Sequence, residues 1–245
     1  LHHTIGFLRF ATTNWSVILK AAAMDSSAAR EGLAALCETY WPPVYVFIRR
    51  KGCSAADAED MTQAYFTRFL EKRYLHDFRP EAGRFRTFLR ASITHFLANE
   101  WDRERALKRG GGQAPIPLDA AEGEARYRLE PADHATPEAL FERQWAAAML
   151  GRCLRRLREE HAASDNPDRF EKLKPFLVAD GPESGYAGLA RELGTSESAA
   201  RVAVHRLRKR FGGVLREEVA RTVTDPADVD AEIRWLLTAV RGSSL

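Results

Sequence analysis

The stretch YAGLARELGTSESAARVAVHRLRKRF, residues 186–211, leaves the chain little choice of local structure. Leu189 and Leu193 are apolar at i, i+4, and Ala190 is small where two helices must come close. Gly194 follows where the chain has to turn with positive φ, which glycine does without strain. Ser196 is placed to cap a second helix. On that helix Ala200, Val204, Leu207 and Phe211 recur at i, i+4, i+7 and i+11, which makes one buried face. Glu197, Arg201, His205 and Arg208 fall on the opposite face. Two helices joined by a tight corner form a helix-turn-helix. An ordinary helical hairpin with a solvated basic face has the same pattern, so the rest of the chain must decide between them.

The rest is also helical. Residues 12–109 fall into helical segments: one capped by Thr13 or Asn14, one from about Glu31 through Trp41, and one restarted by Pro42-Pro43 and ended by Gly52. Ser54 with Asp57 three positions on is close to a capping box. Gly110-Gly111-Gly112 stops this pattern, and residues 110–137 read as an acidic Gly/Pro linker. Thr136-Pro137-Glu138 is a helix start, and Phe141, Trp145, Ala148, Met149, Cys153 and Leu157 then form an apolar stripe. Short helices are expected over Phe170–Val178 and from about Asp228 to Val240; no convincing strand or repeat is present. The expectation is an all-α protein of two helical domains, 12–109 and 138–223, joined by the flexible linker and followed by an extension, 224–245.

The formal net charge of +3 says little, but its distribution says more. Arg84 to Arg109 holds seven basic and three acidic residues, and Arg201 to Arg210 holds five basic and none acidic. Gln113 to Glu138, between them, holds six acidic and two basic residues. Two basic blocks suggest two surfaces for a polyanion. Cys37, Cys53 and Cys153 lie far apart without metal-ligand spacing, which points to reduced thiols in a cytosolic protein and to no metal site. No apolar run approaches the roughly 20 residues of a membrane span, and LHHTIGFLRF lacks a signal-peptide layout. There is no P-loop and no nucleophile motif, and adjacent Glu59 and Asp60 point about 100° apart on a helix, a poor acid/base pair. We therefore expect no enzyme, no catalytic residue and no cofactor.

Three stretches in order resemble bacterial sigma factors of the sigma-70 family, in particular the short extracytoplasmic-function type. Ala190, Leu193, Gly194, Ser196, Val204, His205, Arg206 and Arg208 line up with the family's C-terminal DNA-binding pattern, whereas Ala199-Ala200 and Val202-Ala203 depart from it. AADAEDMTQAYFTRFLEK, residues 55–72, resembles the polymerase-binding helix through Ala58, Glu59, Asp60, Gln63 and Phe66, with Met61 for Leu. FRPEAGRFRTFLRASITHFLANEWDRER, residues 78–105, is similar to the promoter-melting segment through Phe78, Pro80, Gly83, Phe85, Arg86 and Leu89. The family's Arg-Asn pair falls here on Thr94-His95 and its Asp on Asn99.

The resemblance implies a sigma region 2-like bundle and a region 4-like helix-turn-helix domain. Glu59, Asp60, Gln63 and Phe66 would bind the β′ coiled coil of RNA polymerase core, with the β flap held by the C-terminal domain. Arg90, Thr94, His95, Asn99, Trp101, Arg103 and Arg105 would engage the −10 element. Phe96 and Trp101 suit stacking on unpaired bases, with core packing as the alternative for either. Ser196, Glu197, Arg201, Val202, His205, Arg206, Arg208 and Lys209 would engage the −35 element, with Val202 and Ala203 against thymine methyl groups. The linker's acid would follow the template-strand path. An anti-sigma factor is a further candidate partner, and no membrane is implied. A helix-turn-helix regulator working without polymerase is the alternative, though it leaves Asp60 and Gln63 without a role. Ile233, Trp235, Leu236 and Leu237 are too apolar to stay in water, so the last helix is expected to cover the DNA-binding unit as a built-in restraint.

Overall fold

A computed structural model describes residues 27–70, 84–107, 136–162, 168–177 and 185–241, without the side chains of 27–38, 70, 104–107 and 241. The helix expected near Thr13, the loop with Phe78, Pro80 and Gly83, and the linker up to 135 lie outside these residues. The described chain is all-α. Its helices are α1 (Ser27–Arg50), α2 (Ala55–Leu70), α3 (Phe85–Leu107), α4 (Pro137–Ala162), α5 (Asp168–Leu173), α6 (Gly185–Glu192), α7 (Glu197–Ala220) and α8 (Val229–Arg241). Short 3₁₀ turns at Lys174–Leu177 and Pro226–Asp228 follow α5 and precede α8. The one β pairing among the described residues is an isolated antiparallel bridge between Arg84 and Val223.

Contacts divide the chain into two compact units, and the division is not where the sequence suggests. Residues up to Ala148 and from Ala220 onward form the first unit, and Met149–Val219 form the second. The boundary falls inside α4 because the apolar stripe there has two destinations. Its first half carries Phe141 and Trp145 into the core of the first unit: Trp145 stacks on Tyr40 at 4.0 Å and 7°, and Phe141 meets Phe47 edge-on at 6.0 Å. Cys153 and Leu157, further along, are buried in the second unit. The stretch from Leu107 to Thr136 therefore joins two parts of one unit.

In the first unit, α1 runs unbroken through Pro42 and Pro43, where a restart is expected from sequence. Each proline removes one backbone donor. Both prolines and the following Val44–Ile48 are buried, so packing on all sides holds the helix through the lost rungs. Gly52 (φ 98°) turns the chain, and the Ser54 hydroxyl accepts from Asp57 N–H at 3.1 Å while donating to its carboxylate at 2.7 Å. That box starts α2, which buries Tyr65, Phe66 and Phe69. The Tyr65 and Ser92 hydroxyls are hydrogen-bonded, and Phe96 packs edge-on to Tyr65 at 5.5 Å, joining α2 to α3. Thr136 caps α4, accepting from Ala139 N–H at 3.1 Å, and Lys51 binds Glu138 at 2.9 Å.

The C-terminal segment completes this unit. Phe85 N–H donates to the Thr222 carbonyl at 3.0 Å, and Val229 and Leu236 of α8 are buried. Glu232 is 2% exposed and Arg86 8%, with Arg86 Nε 2.6 Å from Glu232 Oε1 and its guanidinium 3.4 Å from the Trp235 ring centre. The expectation that α8 covers the DNA-binding unit is corrected here: its apolar residues and its buried acid belong to the first unit. The apolar count predicts docking, but the partner is chosen by Arg86, which is remote in sequence.

The second unit packs Phe170, Leu173, Phe176, Leu189, Ala200, Val204, Leu207 and Val214 into one core. The single helix expected over 170–178 is α5 and a 3₁₀ turn, the change coming at Pro175, which has no N–H for an α-helical bond. Along one side Arg152, Arg156 and Arg210 pair with Glu160, Glu217 and Glu218. Hydrogen bonding from Arg210 holds the Glu160 carboxyl below the usual glutamate value, against burial. Burial pushes Glu217 up, but the hydrogen bond and charge of Arg156, helped by Arg210, lower it overall.

Two outcomes follow from this packing. Trp145→Ala should destabilise the first unit by about 3–5 kcal/mol in urea unfolding, because a stacked, fully buried ring is lost. Carboxylates with lowered pKa stabilise the fold at pH values above the unfolded value of 4.5 and lose that contribution as pH falls through their folded values. Stability of the second unit should thus be level above pH 4.5 and fall below it, and Arg210→Gln should flatten that acid limb in denaturant titrations.

Candidate nucleic-acid interface

The corner between α6 and α7 closes in two steps. Gly194 (φ 62°) donates to the Arg191 carbonyl at 3.2 Å, and Thr195 N–H reaches back to Ala190 at 2.9 Å, a Schellman closure. Ser196 immediately caps α7, accepting from Ala199 N–H at 3.2 Å. No spare residue separates stop from start, so the angle between the helices is set by these bonds.

On α7, Ala200, Val204 and Leu207 are buried as the spacing predicts, and Phe211 is half-buried. Ala203 joins them at 7% exposure, which corrects its expected place beside Val202 on a DNA-facing surface. One residue is 100° of helix, enough to send Ala203 inward while Val202 stays 47% exposed. Ser196, Glu197, Arg201, His205, Arg206, Arg208 and Lys209 are all exposed. Their commitments differ. Arg201 binds Glu197 at 2.6 Å and lies over the Tyr186 ring at 4.3 Å. Arg208 donates to the Phe176 carbonyl at 2.8 Å, so it secures the 3₁₀ turn. His205, Arg206 and Lys209 make no hydrogen bond or ion pair among the described residues and line one side of α7. Tyr186 is a contributor that sequence reasoning missed: it lies in α6, and nothing in local spacing joins it to Arg201.

In the first unit, α3 buries Phe85, Leu89, Ile93, Phe96 and Leu97. Thr94, His95 and Asn99 are exposed together on the other side, with Ala91 and Ala98 beside them. The Thr94 hydroxyl turns back to the Arg90 carbonyl at 2.9 Å. Trp101 is half-buried, whereas Phe96 is wholly core, so the stacking expected of this pair is left to Trp101. Arg90 binds Glu142 at 2.7 Å and Arg103 binds Glu100 at 3.3 Å; the Arg105 side chain lies outside the described residues.

On α2, Glu59, Asp60 and Gln63 are half-buried and share one side near the helix N-terminus, where acids are favoured. Gln63 Oε1 is buried without a hydrogen-bond partner among the described residues. Phe66 is 4% exposed and stacks on Trp41 at 5.8 Å, so it supports this patch from beneath.

Comparison with known proteins places a name on the first surface. Residues 36–106 match the family model of sigma-70 region 2. No curated protein and no solved structure matches the chain. The matched span contains the end of α1, all of α2 and nearly all of α3, with the acidic patch and the exposed face carrying Thr94, His95 and Asn99. Over residues 36–106 the chain is a sigma-70 region 2.

Proposed function

We propose that this protein is an extracytoplasmic-function-like sigma factor that directs RNA polymerase core to promoters through two DNA contacts. The observation that carries this reading is that one chain holds a sigma-70 region 2 and, separately, a capped helix-turn-helix whose exposed face carries Arg206 and Lys209, neither in an ion pair among the described residues. Glu59, Asp60 and Gln63 are the groups for the β′ coiled coil. Thr94, His95 and Asn99, with Trp101 at the edge, meet the opened −10 element. The second unit meets the −35 element and the β flap. The chain makes and breaks no bond itself, and it works in the cytoplasm, where polymerase and promoters are.

At the −35 element the groups divide by chemistry. Arg206 and Lys209 are exposed cations without an ion pair among the described residues, suited to phosphates, which position a protein without specifying sequence. Val202 is an exposed apolar group that fits a thymine methyl, and Arg201 is the charged donor next to it in sequence. Glu197 and Tyr186 hold Arg201 in one rotamer before DNA arrives, which lowers the ordering cost of reading a base.

In vitro transcription with core polymerase on a promoter library tests the proposal. The wild type should co-purify with core and select a two-part promoter; failure to bind core would defeat the reading. Asp60→Ala should weaken co-purification. Arg201→Ala should relax preference at one −35 position by about 1–3 kcal/mol, whereas Lys209→Ala should weaken all sequences evenly and lower the salt slope by about one.

A further inference from the structure

Among the described residues, helix α3 begins without the devices a helix start normally uses. Its first turn has no acidic residue, and Arg84 and Arg86 lie there, where the helix dipole disfavours cations. Both lacks are made good from the far end of the chain. The Thr222 carbonyl takes the Phe85 N–H at 3.0 Å, and Val223 bridges Arg84. Glu232 binds Arg86 at 2.6 and 3.4 Å and Arg84 at 3.2 Å, and Asp228 adds a contact to Arg84 at 3.8 Å. Trp235 closes the face of the Arg86 guanidinium at 3.4 Å. The remaining edge of Arg86 reaches Glu142 of α4 at 3.3 Å, and Glu142 also takes Arg90. The N-terminal turn of α3 is thereby capped and neutralised in trans.

We propose that Glu232 and Trp235 are positioning residues for promoter opening: they fix the start, and so the register and direction, of the helix that presents Thr94, His95 and Asn99. This rests on the reading of α3 as the −10 helix. A helix transmits an error at its start along its length, and Thr94 to Asn99 lie roughly 14–21 Å further on. Groups that must meet unpaired bases within hydrogen-bond reach tolerate little such error. The role is opposite to that of a restraint, because loss of α8 contacts weakens −10 reading.

The test uses holoenzyme formed from full-length protein and core polymerase, with Glu232→Gln, Glu232→Asp and Trp235→Leu. Transcription from promoters differing in one −10 or one −35 position is expressed as a discrimination ratio, which does not depend on the active fraction. Glu232→Gln and Trp235→Leu should each lower −10 discrimination at least about fivefold and leave −35 discrimination unchanged, with Glu232→Asp retaining more of it. Equal weakening of every promoter with both ratios intact would assign these residues to stability alone and overturn the proposal. A rise in transcription would make α8 a restraint and overturn it too. Should Glu232→Gln not fold, Trp235→Leu, which keeps the ion pair and an apolar side chain, decides by the same ratios. A wild type that binds core but shows no −10 preference defeats the underlying reading instead; a wild type with that preference, shared undiminished by the variants, defeats only the positioning role.

Discussion

Arg86 gives up its water on folding, and what replaces that water comes from distant parts of the chain. Glu232 and Trp235 of α8 and Glu142 of α4 surround a guanidinium on the first turn of α3. A buried charge of this kind is weak as a source of net stability, since desolvation offsets much of the attraction. It is strong as a constraint, because removing one partner strands the other and costs about 3–5 kcal/mol. Three helices far apart in sequence are thus held to one arrangement by a single planar group, and the aromatic cluster of Tyr40, Phe85 and Trp145 lies in the same core.

What could be read from the sequence is what neighbours decide. The caps at Ser54, Thr136 and Ser196, the positive φ at Gly52 and Gly194, and the buried face through Ala200, Val204 and Leu207 all depend on residues within a few positions. So does the region 2 pattern, which a family model matches. What could not be read depends on distant partners. Periodicity shows that Phe141, Trp145, Cys153 and Leu157 share a stripe, but not that the stripe serves two cores. Pro42-Pro43 looks like a break until the burial around it is known. Ala203 illustrates a finer limit, since its place on α7 depends on how wide the buried face is.

The basic block on α7 shows why charge counts overstate a binding surface. Five basic residues lie between Arg201 and Arg210, yet Arg208 holds a carbonyl, Arg210 holds Glu160 and Glu217, and Arg201 is paired with Glu197. Arg206 and Lys209 make no ion pair among the described residues, with His205 and Val202 beside them. A sparse face of this kind suits a protein whose search is shared with a larger enzyme better than one that must find its site alone.

The first unit is also discontinuous in time. A ribosome makes α1 to α3 early, but Thr222, Glu232 and Trp235 emerge only after residues 149–219 have been made. At about 5–20 residues per second, several seconds separate the start of α3 from the groups that cap it. Through that interval Arg86 has no buried acid to meet, and the helix end keeps its water. A chain interrupted during synthesis would carry α2 and α3 without the groups that cap α3. The first turn of α3 is therefore finished only after the helix-turn-helix between them has been made.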